Sequence, residues 1–244
     1  MDNYDDDQDE KKLVKVLLGS GIDESCSSAL LEIAEAAGYK ASYIKADNII
    51  DGELDKSIAA ILCGGGMNTN ILNDSLGETG RENIKNYVKN GGKYYGICMS
   101  AFFAGRKFYN SEDSSITYPG LELYPGMPGG LEGTDDARFE KVTWTDTNGS
   151  SDTYKLFYQD GPNFELDNPL PDDAEVEIVG VYEKDGSNAA LFVNYGEGCV
   201  FVTGPHPEAS ADWFSANGLS KSEKNDCAHT ELAINALKKL VEKK

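Results

Sequence analysis

Three apolar runs in the first hundred residues, LVKVLLGSG, SIAAILCGGG and KYYGICMS, each end in small residues, and helical spacing follows the first and third of them. Near-continuous apolar runs of this length suit strands buried on both faces, and parallel strands need helical crossovers to join them. ESCSSALLEIAEAAGYK supplies one crossover, with Leu30, Leu31, Ile33, Ala34 and Ala37 on one helical face and Gly38 to stop it. ASYI reads as a second strand, GRENIKNYVKNGG as a helix closed by paired glycines, and SAFFAG as the start of another helix. The rhythm predicts an α/β fold with a mostly parallel central sheet covered by helices on both faces. In such sheets ligands bind beyond the carboxyl ends of the strands, and both CGGGM and GICMS fall at such ends.

The second half changes character. ITYPGLELYPGMPGGLEGTDD reads as a loop-rich stretch. EKVTWTDTNG, TYKLFYQDG, AEVEIVGVYEKDG, AALFVNYGEG and CVFVTG follow as strands, several punctuated by Asn-Gly or Asp-Gly turns, and NYGEGCVFV reads as a tight hairpin. CAHTELAINALKKLVEKK closes the chain as an amphipathic helix with lysines in its last turn. No linker composition divides the 244 residues, so the expected organisation is an acidic tail over 1–12 and one domain over 13–244.

Charge excludes some functions. The formal net charge is −20, with six acids in the first ten residues and no Lys/Arg cluster, which opposes nucleic acid and anionic membranes. No apolar run is long enough for a membrane helix. The five cysteines, Cys26, Cys63, Cys98, Cys199 and Cys227, are scattered and form no C-x-x-C pair, which predicts reduced thiols in a cytoplasmic setting. His206 and His229 are the only histidines, and neither stands at zinc-ligand spacing from a second Cys or His, so no metal site is expected.

Cys98 is the residue this pattern singles out. A side chain on a sharp turn between a parallel strand and a helix stands above the sheet, and the N–H groups of the helix start favour a thiolate there. Gly96 and Ser100 supply small flanks for such a nucleophile elbow. A buried free cysteine acting as a small hydrophobe fits the same residues. A nucleophilic thiol needs a base, and His206 ends an apolar strand with Glu208 two residues on, whereas His229 suits a surface or capping role.

The ordered set GGKYYGICMSAFFAG, LELYPG, YQDGPNFEL and NYGEGCVFVTGPHPE resembles the class I glutamine amidotransferase-like superfamily, within it the group named after the N-terminal domain of biotin-protein ligases. The likeness runs from about Lys15 to the terminal helix. It implies a flavodoxin-like sheet with added β-hairpins and a triad of Cys98, His206 and Glu208. It also implies an oxyanion hole from the N–H of Gly65 or Gly66 together with that of Met99. Tyr158, Gln159, Asp160 and Gly161 match a family segment near the site, with substrate binding or turn formation as alternative roles.

The implied activity is cysteine-dependent hydrolysis or transfer of an amide, on a small molecule or a peptide, with no cofactor and with a synthase or other protein as a conceivable partner. The alternative is a catalytically silent binding or scaffold module on the same fold. The chain shows no ATP/biotin loop and lacks the length for a ligase domain, so biotin transfer is not expected of it.

Two departures from the pattern stand out: Ser100 replaces the last glycine of the elbow, and Cys63 replaces the proline before CGGG. If their strands are neighbours, Cys63 and Cys98 could form a reversible disulfide. Residues 118–133 form either a candidate pocket rim or a plain surface loop.

Overall fold

The computed structural model describes residues 11–110, 115–131, 136–219 and 228–243. The expected acidic tail, Lys11 and Lys12 apart, and Cys227 lie outside them. The first half runs β1 (Leu13–Leu17), α1 (Glu24–Ala36), β2 (Lys40–Ile44), α2 (Ala46–Ile50), β3 (Ile58–Cys63), α3 (Thr69–Lys89), β4 (Lys93–Ile97) and α4 (Met99–Ala104). Short strands β5 (Lys107–Tyr109), β6 (Thr117–Pro119) and β7 (Gly126–Gly130) follow. Then come β8 (Arg138–Thr145), β9 (Ser151–Tyr158), β10 (Pro162–Leu166), β11 (Val176–Tyr182), β12 (Asn188–Tyr195), β13 (Gly198–Thr203), α5 (Ala211–Ala216) and α6 (Thr230–Glu242).

Eleven of these strands build one sheet, whose main path is β2-β1-β3-β4-β13-β12-β11-β8-β9. The first five in that order are joined in parallel. From β13 onward the neighbours are antiparallel, so the hairpins of the second half extend the same sheet. The whole is a mixed sheet with a parallel half and an antiparallel half. Central strands β4 and β13 are buried at every position, which is why their sequences are apolar without alternation.

Alternate residues along the strands feed two cores. On one face Val14, Val16, Tyr95 and Phe201 pack with Leu30 and Ile33 of α1 and Leu237 and Leu240 of α6. On the other, Leu17, Ile61, Tyr94 and Val202 pack with Ile49 of α2, Leu76 and Ile84 of α3 and Phe103 of α4. The apolar stripes of α1 and α6 therefore cover one layer, and α2, α3 and α4 the other.

The parallel rhythm, the tight β12–β13 hairpin and the terminal helix stand where the sequence predicts them. The helix read as GRENIKNYVKNGG is the second part of a longer one: α3 begins at Thr69, capped by Asn68, and breaks helical geometry at Gly77 (φ 58°, ψ −166°). Local periodicity did not reveal α2, α5 or β10, because five- and six-residue elements carry too few positions to establish a period. Among the described residues no helix is long and apolar enough to cross a membrane.

Candidate active site

Cys98 lies between β4 and α4 with φ 52° and ψ −112°. A positive φ at a residue with a β-carbon is strained and persists only where its surroundings enforce it. Here the Cys98 N–H donates to the carbonyl of Thr203 at 2.9 Å, and the N–H groups of Ala101 and Phe102 donate back to the Cys98 carbonyl. Gly96 lets the turn close: a β-carbon there would stand 2.6 Å from the Tyr94 ring and 3.1 Å from the Ser100 carbonyl.

Ser100, the departure from the elbow pattern, is fully buried and ties the turn down. Its hydroxyl donates to the carbonyl of Gly64 at 2.6 Å, and its own carbonyl accepts from the Tyr94 hydroxyl at 2.8 Å. The serine thus clamps the elbow to the neighbouring glycine turn. Ser100→Ala strands the buried Gly64 carbonyl and is expected to cost about 1–3 kcal/mol in urea unfolding.

His206 follows β13 and is fixed through its backbone, whose N–H donates to the carbonyl of Phe157 at 2.8 Å. Its Nδ1 lies 2.7 Å from Glu208 Oε1, and its ring stands beside Cys98, since a β-carbon on Gly65 would meet both His206 Cε1 and Cys98 Cβ. Phe157 and Trp213 pack edge-on against the ring, each with centroids 5.6 Å away. Both His206 and Glu208 are buried, at 4% and 2% exposure. Burial alone would lower the imidazolium, but the Glu208 carboxylate and the Cys98 thiol outweigh it and raise His206 from its ordinary 6.5 to about 10.

The glycine turn after β3 closes the arrangement. A β-carbon on Gly65 would meet His206 Cε1 at 2.7 Å, Cys98 Cβ at 3.3 Å and Cys26 Sγ at 3.4 Å, so only glycine fits between these groups. The Gly65 carbonyl accepts from the Asp23 N–H at 3.0 Å, which fixes the turn against the start of α1. Gly66 and Met99 line the same cavity as Cys98.

That cavity, of about 730 Å³, opens over the carboxyl ends of the parallel strands. Gln159 and Asp160 line it, and the Cys98 thiol also reaches the Gln159 carbonyl at 3.7 Å. Tyr158 and Gly161 do not. The Tyr158 hydroxyl donates to the Gly161 carbonyl at 2.8 Å under the Arg138 guanidinium, and Gly161 packs on the Gly204 backbone, so both shape the turn. The rim comes from Phe108, Tyr109 and Asn110 rather than from residues 118–131, which form β6, β7 and the segments around them; 132 and 133 lie outside the described residues. His229 caps α6 beside Tyr154 and takes no part in the cavity.

The four described cysteines are free. Cys63 stands opposite Gly96 in the sheet and packs beside Tyr94 in the same apolar cluster as Cys26. Burial pushes the Cys63 thiol up to about 12. β3 and β4 are neighbours, and Cys63 and Cys98 are both free thiols; the cysteine gathered with His206 and Glu208 is Cys26, in the first turn of α1. Its thiol is raised by burial first, then by Glu208 and Cys98. Its sequence context, an amphipathic helix, marks it only as core-facing.

A model of the family described as "Biotin-protein ligase, N terminal" matches residues 14–243. The chain belongs to that family. The biotin–protein ligase of Schizosaccharomyces pombe is 26% identical over 203 residues, covering 77% of this chain and 31% of the relative. This member of the biotin-protein ligase N-terminal family thus spans under a third of that relative's length.

In fold, the chain is similar to a crystal structure of a glutamine amidotransferase, with TM-score 0.56, 17% identity and coverage of 80% of this chain and 90% of that one. It is also similar to a cytoplasmic protein from Salmonella typhimurium, with TM-score 0.57, 18% identity and coverage of 94% and 98%. At these identities the likeness is one of fold, the glutamine amidotransferase-like α/β architecture that the motifs imply.

Proposed function

We propose that this family member is a cysteine-dependent amide hydrolase or amidotransferase-like enzyme. The observation that supports it most is a strained, positive-φ cysteine beside a buried histidine whose Nδ1 is held at 2.7 Å by a buried glutamate. With Nδ1 committed to Glu208, Nε2 is the nitrogen available to the thiol.

In this reading His206 already holds the Cys98 proton as Sγ attacks the amide carbonyl. The carbonyl oxygen becomes an oxyanion facing the N–H of Met99 and that of Gly65 or Gly66. Collapse breaks the C–N bond, His206 returns the proton to the leaving amine, and a thioester remains on Cys98. Water deprotonated by His206 then hydrolyses the thioester. Glu208 holds the imidazole in register and offsets its charge. Where ammonia is transferred rather than released, a synthase or other protein supplies the acceptor. The substrate is a small amide or a peptide, and Gln159 and Asp160 are its nearest candidate contacts. Scattered free thiols support a reducing, cytoplasmic setting.

The test is acid-quenched intact mass spectrometry after incubation with a panel of activated esters, glutamine, amides and short peptides. A covalent acyl adduct on Cys98, absent in Cys98→Ala, is the expected result. If no substrate leaves an adduct and Cys98 reacts with iodoacetamide no faster than the other accessible thiols, the silent binding module replaces this reading.

Gly65→Ala gives a second check. Its methyl group would intrude on His206 Cε1 and Cys98 Cβ, so adduct formation is expected to fall at least about tenfold. The stability cost is about 1–3 kcal/mol by overpacking.

A further inference from the structure

Cys26 has no part in the reaction proposed above, yet it stands beside the groups that perform it. Its Sγ, a ring nitrogen of His206 and a carboxylate oxygen of Glu208 lie within 4.8 Å of one another, and all three residues are buried. Among the described residues no other three His, Cys, Asp or Glu side chains gather in this way. Glu208 adds a second observation. Its Oε1 is engaged by His206, while Oε2 is buried with no hydrogen-bond partner. A buried carboxylate oxygen left bare is unfavourable unless a donor or a cation reaches it.

We propose that Cys26, His206 and Glu208 form a reversible site for a thiophilic divalent cation, Zn²⁺ above all, whose occupancy silences Cys98. One thiolate, one imidazole and one carboxylate make a donor set suited to a borderline-soft ion without redox chemistry. Zinc bonds of about 2.0–2.3 Å place tetrahedral ligand atoms roughly 3.3–3.7 Å apart. The observed spread therefore closes with side-chain shifts on the order of 1 Å.

Binding exchanges the Cys26 S–H bond for a Zn–S bond and a ring N–H of the His206 imidazolium for a Zn–N bond, releasing two protons to solvent with no change of oxidation state. Cys26 and His206 line the cavity, so the ion has a route in. Asp23, Asp160 and Asp212 line the same cavity and, with the net charge of −20, concentrate cations at its mouth. The silencing rests on the reading of His206 as proton carrier, since a metal-bound imidazole no longer serves the thiol. The binding itself does not rest on it.

The experiment titrates the full chain with Co²⁺ as a spectroscopic probe and then displaces it with Zn²⁺. One Co²⁺ per chain is expected, with a thiolate-to-cobalt charge-transfer band that is retained in Cys98→Ser and lost in Cys26→Ser. Zinc is expected to slow iodoacetamide labelling of Cys98 at least about tenfold in the wild type, reversed by a chelator, with no protection in Cys26→Ser.

Absence of saturable cobalt binding, or a band that survives in Cys26→Ser or vanishes in Cys98→Ser, overturns the site. Should Cys26→Ser fail to fold, Glu208→Gln replaces it as the variant expected to weaken binding at least tenfold. Unchanged cobalt affinity there counts against the proposal. The catalytic reading is judged separately, by labelling of His206→Ala in metal-free buffer.

Discussion

Substituting His206 with alanine is expected to lower turnover of any amide or ester that acylates Cys98 by about 10²–10⁴-fold, the usual contribution of a positioned general base. The same change is expected to remove the selective iodoacetamide labelling of Cys98 near neutral pH. The effect follows from position: the imidazole stands beside Cys98 across Gly65 and is bonded to Glu208, and the described residues lining the cavity include no other histidine and no lysine or arginine. His206→Asn is the companion variant, because it preserves a polar side chain and its backbone bond to Phe157 while abolishing proton transfer. Peptide mass spectrometry over a labelling time course reads both. Labelling of Cys98 at the wild-type rate in both variants would remove His206 from the mechanism.

Glu208 carries the second large effect, and it divides into activity and stability. Glu208→Gln keeps the shape but takes away the charge that orients and stabilises the imidazolium, with an expected loss of turnover on the order of 10³–10⁴. Glu208→Ala removes one partner from a fully buried pair, for which the expected destabilisation is about 3–5 kcal/mol. The pH dependence has a definite sign. Burial opposes the charged imidazole, yet Glu208 and Cys98 raise His206 from 6.5 to about 10, so the folded state holds this proton more tightly than the unfolded chain does. The stabilisation is complete below about pH 6.5 and is lost as pH rises toward 10. Urea unfolding across that window is therefore expected to show a wild-type midpoint that falls with pH and a flatter Glu208→Gln profile. Parallel profiles would mean that the pair does not hold the proton.

Much of the site was legible because its chemistry sits in short, position-specific words. A cysteine between an apolar strand and small residues reads as an elbow, and its φ of 52° bears that geometry out. His206 and Glu208 are two residues apart, so their pairing at 2.7 Å is local and readable from GPHPE. The CGGG turn was legible as a strand's carboxyl end, where ligands bind, but nothing local shows that His206 and Cys98 approach Gly65. Ser100 read as a defect in the pattern and is instead a clamp on Gly64, because a buried hydroxyl gains its meaning from a carbonyl 36 residues away.

The sequence by itself determined the parallel half of the sheet, since apolar runs without alternation are soluble only when helices cover both faces, and the spacing of those helices is local. It also determined which thiol stands at a strand–helix junction and which histidine ends an apolar strand. Only the tertiary structure decided which cysteine joins them. Cys63 is close in pattern but is packed beside Tyr94 at the end of β3. Cys26, 180 residues before His206 and unmarked by any motif, reaches the site because β1, β3 and β13 lie in one parallel half-sheet and their following segments meet at one edge. Spacing along the chain gave no metal ligands, whereas folding places a thiol, an imidazole and a carboxylate within 4.8 Å. Contacts of that kind are fixed by packing across the sheet, and no local period encodes them.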